Sequence, residues 1–415
     1  MRQMPRHGRF DSSLALLRQG YLFIDNGCRA TGSDIFETRL LLRRTICMRG
    51  AEAARVFYDN ERFARRGAMP SPVRRTLLGT GGVQGLDGEA HRARKAAFMS
   101  LMTESRLRDL AALTGDRWQA SIRKWAAMPR VALFEEVQEL LCRAVCAWSG
   151  VPLGDAEAAR RARDLGAMID GAGSIGLRHL RGRRARKRGE RWIAALVQAV
   201  RRGSLRVPAD GSLHVFATHV EAGGRHLDAH TAAVEILNVL RPTVAIARFV
   251  VFSALALHRH PACRVRVADD ARYAGWFIQE VRRFYPFFPM VAARVRRGFE
   301  WRGYRFPEGR RVMLDLYGTN RLPALWSQPD AFRPERFRDW SGSPFDFIPQ
   351  GGGNHYLHHR CAGEWLTIEL MRVALDALTR RMTYRVPAQD LAVDLSRMPT
   401  LPGSRFVIEN VRPVE

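Results

Sequence analysis

Apolar residues recur at three- and four-residue spacing through most of the chain after position 87. That period predicts helices over 88–102, 106–125, 134–148, 155–169 and 189–202. The longest predicted helix follows Asp228 as N-cap and runs to about 258. Its most apolar stretch, 243–257, is interrupted by Arg248 and is too short for a comfortable membrane span. Runs of β-branched and aromatic residues at 20–24 and 36–47 predict a small N-terminal sheet. Segments 301–306 and 312–317, separated by Pro307-Glu308-Gly309, read as a hairpin. A last helix over 361–381 precedes strands at 382–386 and 406–411. The expected fold is mainly α with small β-sheets. With no linker, repeat or low-complexity stretch, 1–415 reads as a single domain.

Composition adds a large core and an unusual surface. Apolar residues make up 46% of the chain, and the formal net charge is +26. The excess is arginine, because lysine occurs only at 95, 124 and 187. Such a balance raises nucleic-acid binding. The densest cluster, 178–191, nevertheless has no interleaved aromatics and leads into an amphipathic helix start. No nucleic-acid partner is therefore expected, and a solvated basic surface attractive to anionic lipids or carboxylates fits better. The six cysteines show no paired framework, and Cys142 and Cys146, at i, i+4, read as packed thiols suited to a reducing cytoplasm. Residues 1–7 carry no run resembling a signal peptide or anchor. The expectation is a soluble, cytoplasmic protein without a transmembrane segment.

The chemistry concentrates around Cys361. It follows a glycine-rich loop, 350–353, and two histidines and an arginine, and it stands just before the predicted final helix. Glycines let backbone pass close to a flat ligand. A helix starting near Ala362 would aim free N–H groups at the sulfur and favour the thiolate, a strong axial ligand for haem iron. Glu280 and Arg283, at i, i+3 on a helical stretch over 277–285, can join Arg336 from 332–337. Together they predict a carboxylate held between two guanidinium forks. Arg241 stands inside an otherwise apolar helix, beside Pro242, which removes a backbone N–H and can kink the helix toward a cavity. A buried guanidinium needs an anion. Spacing leaves open whether that anion is Glu235, another acid or a ligand.

Taken in order, Glu280-x-x-Arg283, Arg336 and the Cys361 loop resemble the cytochrome P-450 superfamily of haem-thiolate enzymes, over almost the whole chain. More narrowly, the chain resembles the bacterial fatty-acid peroxygenases, through residues 83–88, 240–245, 284–289 and 347–353. The resemblance implies haem b on Cys361, with Arg65, His91, Lys95 and Arg360 toward its propionates. It implies Arg241-Pro242 in place of the acid–threonine pair that relays protons in ordinary members. Arg241 would bind a fatty carboxylate, and that carboxylate would act as general acid and base on hydrogen peroxide. Leu78, Gln84 and Phe288 map to positions facing the distal cavity. They resemble the 2-hydroxylating branch more than the 3-hydroxylating or decarboxylating ones. No redox partner would be required. A ferredoxin-fed monooxygenase and a non-catalytic haem sensor are the rival readings. His358 stands where relatives have glycine and Ala362 where they have proline, so a strained or crowded cysteine loop is expected.

Overall fold

The computed structural model describes residues 2–8, 10–221 and 223–414. Helices dominate, with ten strands among the described residues: β1 (Ile35–Leu40), β2 (Arg43–Met48), β3 (Phe63–Ala64), β4 (Val131–Ala132), β5 (Met290–Val295), β6 (Phe299–Trp301), β7 (Tyr304–Phe306), β8 (Arg311–Asp315), β9 (Met382–Arg385) and β10 (Val407–Pro413). The main sheet has the order β1-β2-β8-β5-β3. Its β2 and β8 run parallel, Thr45 facing Arg311 through Met48 facing Leu314, while β8 and β5 are antiparallel. A parallel pair between such distant segments requires a long crossover, and the helical body of the protein is that crossover. Strands β4, β10 and β9 form a second sheet beside the helices.

Four segments differ from the sequence expectation. Residues 20–24 form no strand: Gly20–Leu22 is a 3₁₀ turn and Phe23–Thr31 a helix that buries Phe23, Ile24, Gly27 and Cys28. Those positions are one helical face, and a five-residue apolar run is too short to distinguish the two periods. The hairpin is β6–β7, closing over Arg302 and Gly303, both at positive φ. Pro307–Gly309 instead leads into β8, a central strand whose five residues are all buried. The helix expected over 189–202 starts at Gly176, so the basic cluster lies inside it. The last helix begins at Glu364, not beside the cysteine, and ends in a π-helical turn, Ala377–Arg381.

The helix after Asp228 is capped as expected, the Asp228 carboxylate accepting the Thr231 N–H at 2.9 Å. It runs as Ala229–Ala245 and Ala247–Arg259. The break falls at Ile246. Its N–H bonds the Thr243 carbonyl, three residues back, while Pro242 removes one donor from the ladder of the first segment. Its most apolar 18-residue window is 94% buried, which marks the core helix of this fold. Cys142 and Cys146 are buried and unpaired against the same core.

The helix Ala271–Phe284 carries the clamp. Glu280 is fully buried and accepts from Arg283 through both oxygens at 2.8 Å, while Arg336 Nε lies 3.1 Å from Oε2. The same carboxylate accepts the Arg333 backbone N–H. Arg283 then donates to the Asn320 carbonyl, and the Asn320 side chain accepts from Ile348 N–H at the head of the cysteine loop. One carboxylate thus fixes the 327–336 loop and, through Asn320, the loop that presents Cys361. Removing it leaves two buried guanidinium groups uncompensated. Glu280→Ala is expected to lower folding stability by about 3–5 kcal/mol, measured by urea unfolding; a loss below about 1 kcal/mol, as for surface pairs, would refute the clamp.

Candidate active site

Cys361 closes a loop in which Gly351 and Gly353 adopt positive φ. A side chain at Gly351 would strike the Tyr58 hydroxyl at 2.9 Å, and one at Gly353 the His358 ring at 2.3 Å. His358 occupies the space that the second glycine leaves and accepts the Asn354 N–H on Nδ1 at 2.8 Å. It is not among the residues at positive φ, so the substitution braces the loop without the expected backbone strain. The sulfur receives Gln350 Nε2 at 3.7 Å and the Gly363 N–H. Burial nonetheless pushes the Cys361 thiol above its ordinary range, against Lys95 and that N–H. The single aligned amide is too little to make a free thiolate here. A metal cation at the sulfur would do so outright.

Behind the loop sits a buried ion network that sequence reasoning missed. Glu364 pairs with Arg282, with Arg360 Nε at 2.6 Å and with His355 Nε2 at 2.9 Å. Burial opposes its charge, yet Arg282, His355 and Arg360 together hold it well below the usual carboxylate range. Arg282 also donates to Gln350 Oε1 at 3.1 Å, linking the network to the amide that faces the sulfur. Arg360 is therefore committed to Glu364 and to the Gly353 carbonyl on this side of the loop. Arg282 neighbours the expected clamp arginine, and Gln350 lies inside the glycine run. Both were visible, but nothing in their spacing assigned them a partner.

Arg65, His91 and Lys95 do converge. His91 stacks on His359 with ring centroids 3.8 Å apart, and Lys95 donates to the Arg360 carbonyl. Burial, then the Lys95 charge, takes His91 down to about 4, and burial takes Lys95 down to about 8. Arg65 lies over the Phe57 ring at 4.3 Å, and its Nη1 is buried without a hydrogen-bond partner. His359 joins this group. The sequence alone did not single it out. The arrangement collects donors with no carboxylate bound to them, the condition for an anionic ligand.

Across from the sulfur, Arg241 is 5% exposed. Its Nη2 donates to Asn238 Oδ1 at 3.2 Å, and its Nε has no partner. Glu235 is taken: Arg94 Nη1 at 2.7 Å, the Val83 N–H at 2.8 Å and Asn238 Nδ2 at 3.2 Å all engage it. The internal ion pair that spacing left open is thus absent, and among the described residues no carboxylate lies within ion-pair reach of Arg241. Burial, then the Arg186 charge, lowers the Arg241 guanidinium to about 9, while the Cys361 sulfur pulls the other way. Gln84 Oε1 accepts from Asn238 at 3.2 Å. Leu77, Leu78, Phe287 and Phe288 pack with Ala245, one helical turn beyond Arg241 on the same face. The Thr243 hydroxyl donates to the Val239 carbonyl of its own helix at 2.9 Å.

A family model for cytochrome P450 matches residues 258–401. Cytochrome P450SP alpha, solved in complex with (R)-ibuprophen, is 49% identical, with a TM-score of 0.96 over 98% of this chain and 99% of that one. The chain belongs to the cytochrome P450 family. Cytochrome P450EX alpha with myristic acid is 44% identical, with a TM-score of 0.97 over the whole of both chains. A variant of cytochrome P450 OleT with arachidonic acid is 37% identical, with a TM-score of 0.97 over 100% of this chain and 99% of that one. Among curated relatives, cytochrome P450 71D18 of Mentha gracilis is 24% identical over 52% of this chain and 44% of its own length. The chain therefore matches less than half of that relative. This P450 carries haem b on a cysteine thiolate. The site residues fit the group: a buried sulfur that needs a cation, and an orphaned Arg65 donor beside Lys95, His91 and His359 for its anionic edge.

Arg186 is a further residue the sequence did not single out. It was grouped with the solvated cluster, yet it is fully buried, pairs with Glu190 at 2.7 Å and donates to the Leu77 and Leu78 carbonyls. A Cβ at Gly79 would lie 2.1 Å from its Nη2. It sets the backbone of Leu78 and adds to the positive field on Arg241. The unpaired Arg241 charge should weigh against the ligand-free fold. Arg241→Met is expected to stabilise the ligand-free protein, by about 1–4 kcal/mol, and to abolish the rise in Tm that a monocarboxylate produces in the parent. A lower Tm for the variant would instead make Arg241 structural.

Proposed function

We propose that this P450 is a peroxygenase that hydroxylates fatty acids at C2 with hydrogen peroxide. The observation that carries the reading is Arg241, a buried guanidinium with no carboxylate of its own, set on the core helix opposite Cys361. Two of the solved relatives hold fatty acids, myristic and arachidonic. An acid of that class brings one carboxylate, which Arg241 can bind by two parallel hydrogen bonds. Asn238 holds the guanidinium from behind, and Gln84 holds Asn238.

When bound, haem on a thiolate supplies O–O cleavage and oxidation of a C–H bond. On the core helix, among the described residues, the two candidate acid–base groups are engaged elsewhere: Thr243 donates to its own helix, and Glu235 is sealed under Arg94. The carboxylate held by Arg241 fills that role, moving a proton between the two oxygens of hydrogen peroxide. The overall change is R–CH₂–COOH plus H₂O₂ to R–CH(OH)–COOH plus H₂O. A carboxylate pinned in this way leaves only the nearest carbons in reach. Leu78 and Phe288 wall the start of the chain, which favours C2 over C3, and the apolar cluster behind them receives the acyl tail.

Purified haem-loaded protein should turn over a saturated fatty acid with hydrogen peroxide and no reductase, giving chiefly the 2-hydroxy acid by mass spectrometry. Arg241→Ala should lower kcat/KM about 10²-fold or more, since the acid–base group is lost with its anchor. Turnover that requires a ferredoxin and reductase would overturn the peroxygenase reading. Chiefly 3-hydroxy acid or terminal alkene would overturn the C2 assignment alone.

A further inference from the structure

Among the described residues, nine arginines are at least nine-tenths buried: 65, 94, 161, 186, 241, 248, 282, 283 and 311. Six of them, Arg94, Arg161, Arg186, Arg248, Arg282 and Arg283, lie within ion-pair distance of a carboxylate. Of the three that do not, Arg65 and Arg241 belong to the active site. The third, Arg311, does not. It stands on central strand β8, 8% exposed, and no carboxylate or carbonyl of the described residues binds its guanidinium. Its neighbours make matters worse. Arg294 is directly opposite across the β5–β8 ladder, where like charges destabilise. Arg43 adds a second repulsion, and burial and both charges together hold Arg311 below its ordinary range.

Arg311 opens into a cleft of about 410 Å³ lined by Arg43, Arg44, Arg294 and Arg310, with Glu308 as its one acid. Glu37, next to it, is already shared by Arg44 at 3.1 Å and Arg310. A cluster of this sign calls for phosphate-class anions, one multiply charged or several singly charged side by side. The adjoining surface tells where that phosphate is carried. The turn between β1 and β2 is Leu41-Leu42, both at positive φ, 56% and 67% exposed. The Leu41 N–H donates to Ser13 Oγ and the Leu42 N–H to the Asp11 carboxylate, each at 2.7 Å. These bonds bring in Phe10 and Leu14, 71% and 57% exposed. A monomer in water has no use for four large apolar side chains on one knob. Beside a polycationic cleft they match an anionic bilayer, apolar tips below the headgroups and arginines at the phosphates.

We propose that this end of the N-terminal sheet is a peripheral membrane site, in which anionic-lipid phosphates occupy the Arg43–Arg311 cleft and Leu41, Leu42, Phe10 and Leu14 enter the headgroup boundary. The site is distinct from the basic helix Gly176–Arg201, whose arginines are partly committed: Arg188 to Asp164, Arg183 to the Arg75 carbonyl and Arg186 to Glu190. The inference does not depend on the fatty-acid reading.

The test is sedimentation of the haem-loaded protein with vesicles of phosphatidylcholine alone or mixed with phosphatidylglycerol. Binding is expected only to the anionic vesicles and should fall with salt. Arg43→Gln and Arg311→Gln should each weaken it about fivefold, and Leu41→Ser with Leu42→Ser should weaken it without changing the salt dependence. Each variant should keep the parent's haem absorption, which separates lost binding from lost folding. Equal binding to neutral vesicles would overturn the proposal, as would loss of binding on Arg181→Gln with Arg184→Gln but not on the cleft variants. Should inorganic phosphate raise Tm through Arg311 while no vesicle binds, the cleft belongs to a soluble phosphate and the membrane assignment fails.

Discussion

A guanidinium taken out of water without a counter-charge is the constraint around which the distal half of this protein is arranged. Arg241 faces the cavity with one amide oxygen for a partner, while the carboxylate one helical turn and a half away is consumed by Arg94. The arrangement is specific: Asn238 spends its amide nitrogen on Glu235 and Gln84, so only its oxygen remains for Arg241. Among the described residues no carboxylate pairs with Arg241, and Glu235 on its own helix is occupied. Folding thus carries an unfavourable term that an incoming anion relieves, and the affinity for that anion is drawn from the fold itself. Pro242 removes one donor from the ladder next to this residue, and the core helix is interrupted four residues on, at Ile246.

The proximal half obeys the opposite rule. There the buried arginines are matched closely, Arg283 and Arg336 to Glu280, Arg282 and Arg360 to Glu364. Burying a matched pair gives little net stability, but breaking one is expensive, so these pairs act as geometric locks. They fix the loop backbone from Asn320 to Ile348 and the Gln350 amide at the sulfur. The two halves divide the work. Saturated charges hold the cysteine in place, and Arg241 is left unsaturated, as the proposed binding of a carboxylate requires.

The sequence disclosed the elements whose chemistry is local. Helical period located the body of the fold and Asp228 its N-cap, and the glycine loop before Cys361 marked that cysteine as the candidate ligand, because a thiolate so placed has few other uses. It misplaced the 20–24 turn and the 301–306 hairpin partner, where short apolar runs satisfy either period. It also could not divide the arginines. In a chain with this surplus, Arg186, Arg282 and Arg311 look like their solvated neighbours. Burial and pairing are properties of distant segments brought together, such as Leu78 with Arg186 or Thr45 with Arg311. The same limit applies at the cysteine loop, where Arg360, expected toward the propionates, turns to Glu364 while His359 stacks on His91.

Violations of local rules then become informative. A two-residue turn with φ positive at both positions favours Asn-Gly, and each ordinary L-residue held there costs roughly 1–2 kcal/mol. This P450 has Leu41-Leu42 at those positions, both exposed. Neither side chain gains core packing in return, and glycine or asparagine would relieve the turn at once. Beside it, Arg311 occupies a central strand where valine or isoleucine would pack on both faces. One region thus breaks the turn rule, the apolar-surface rule and the buried-charge rule together. Single defects of these kinds recur elsewhere, positive φ at Gln328 and exposed apolar side chains at Ile175 and Leu177. Three in contact are consistent with one cause, and an anionic interface satisfies all three: it takes up the leucines, supplies the missing counter-charge, and leaves the fold otherwise unchanged.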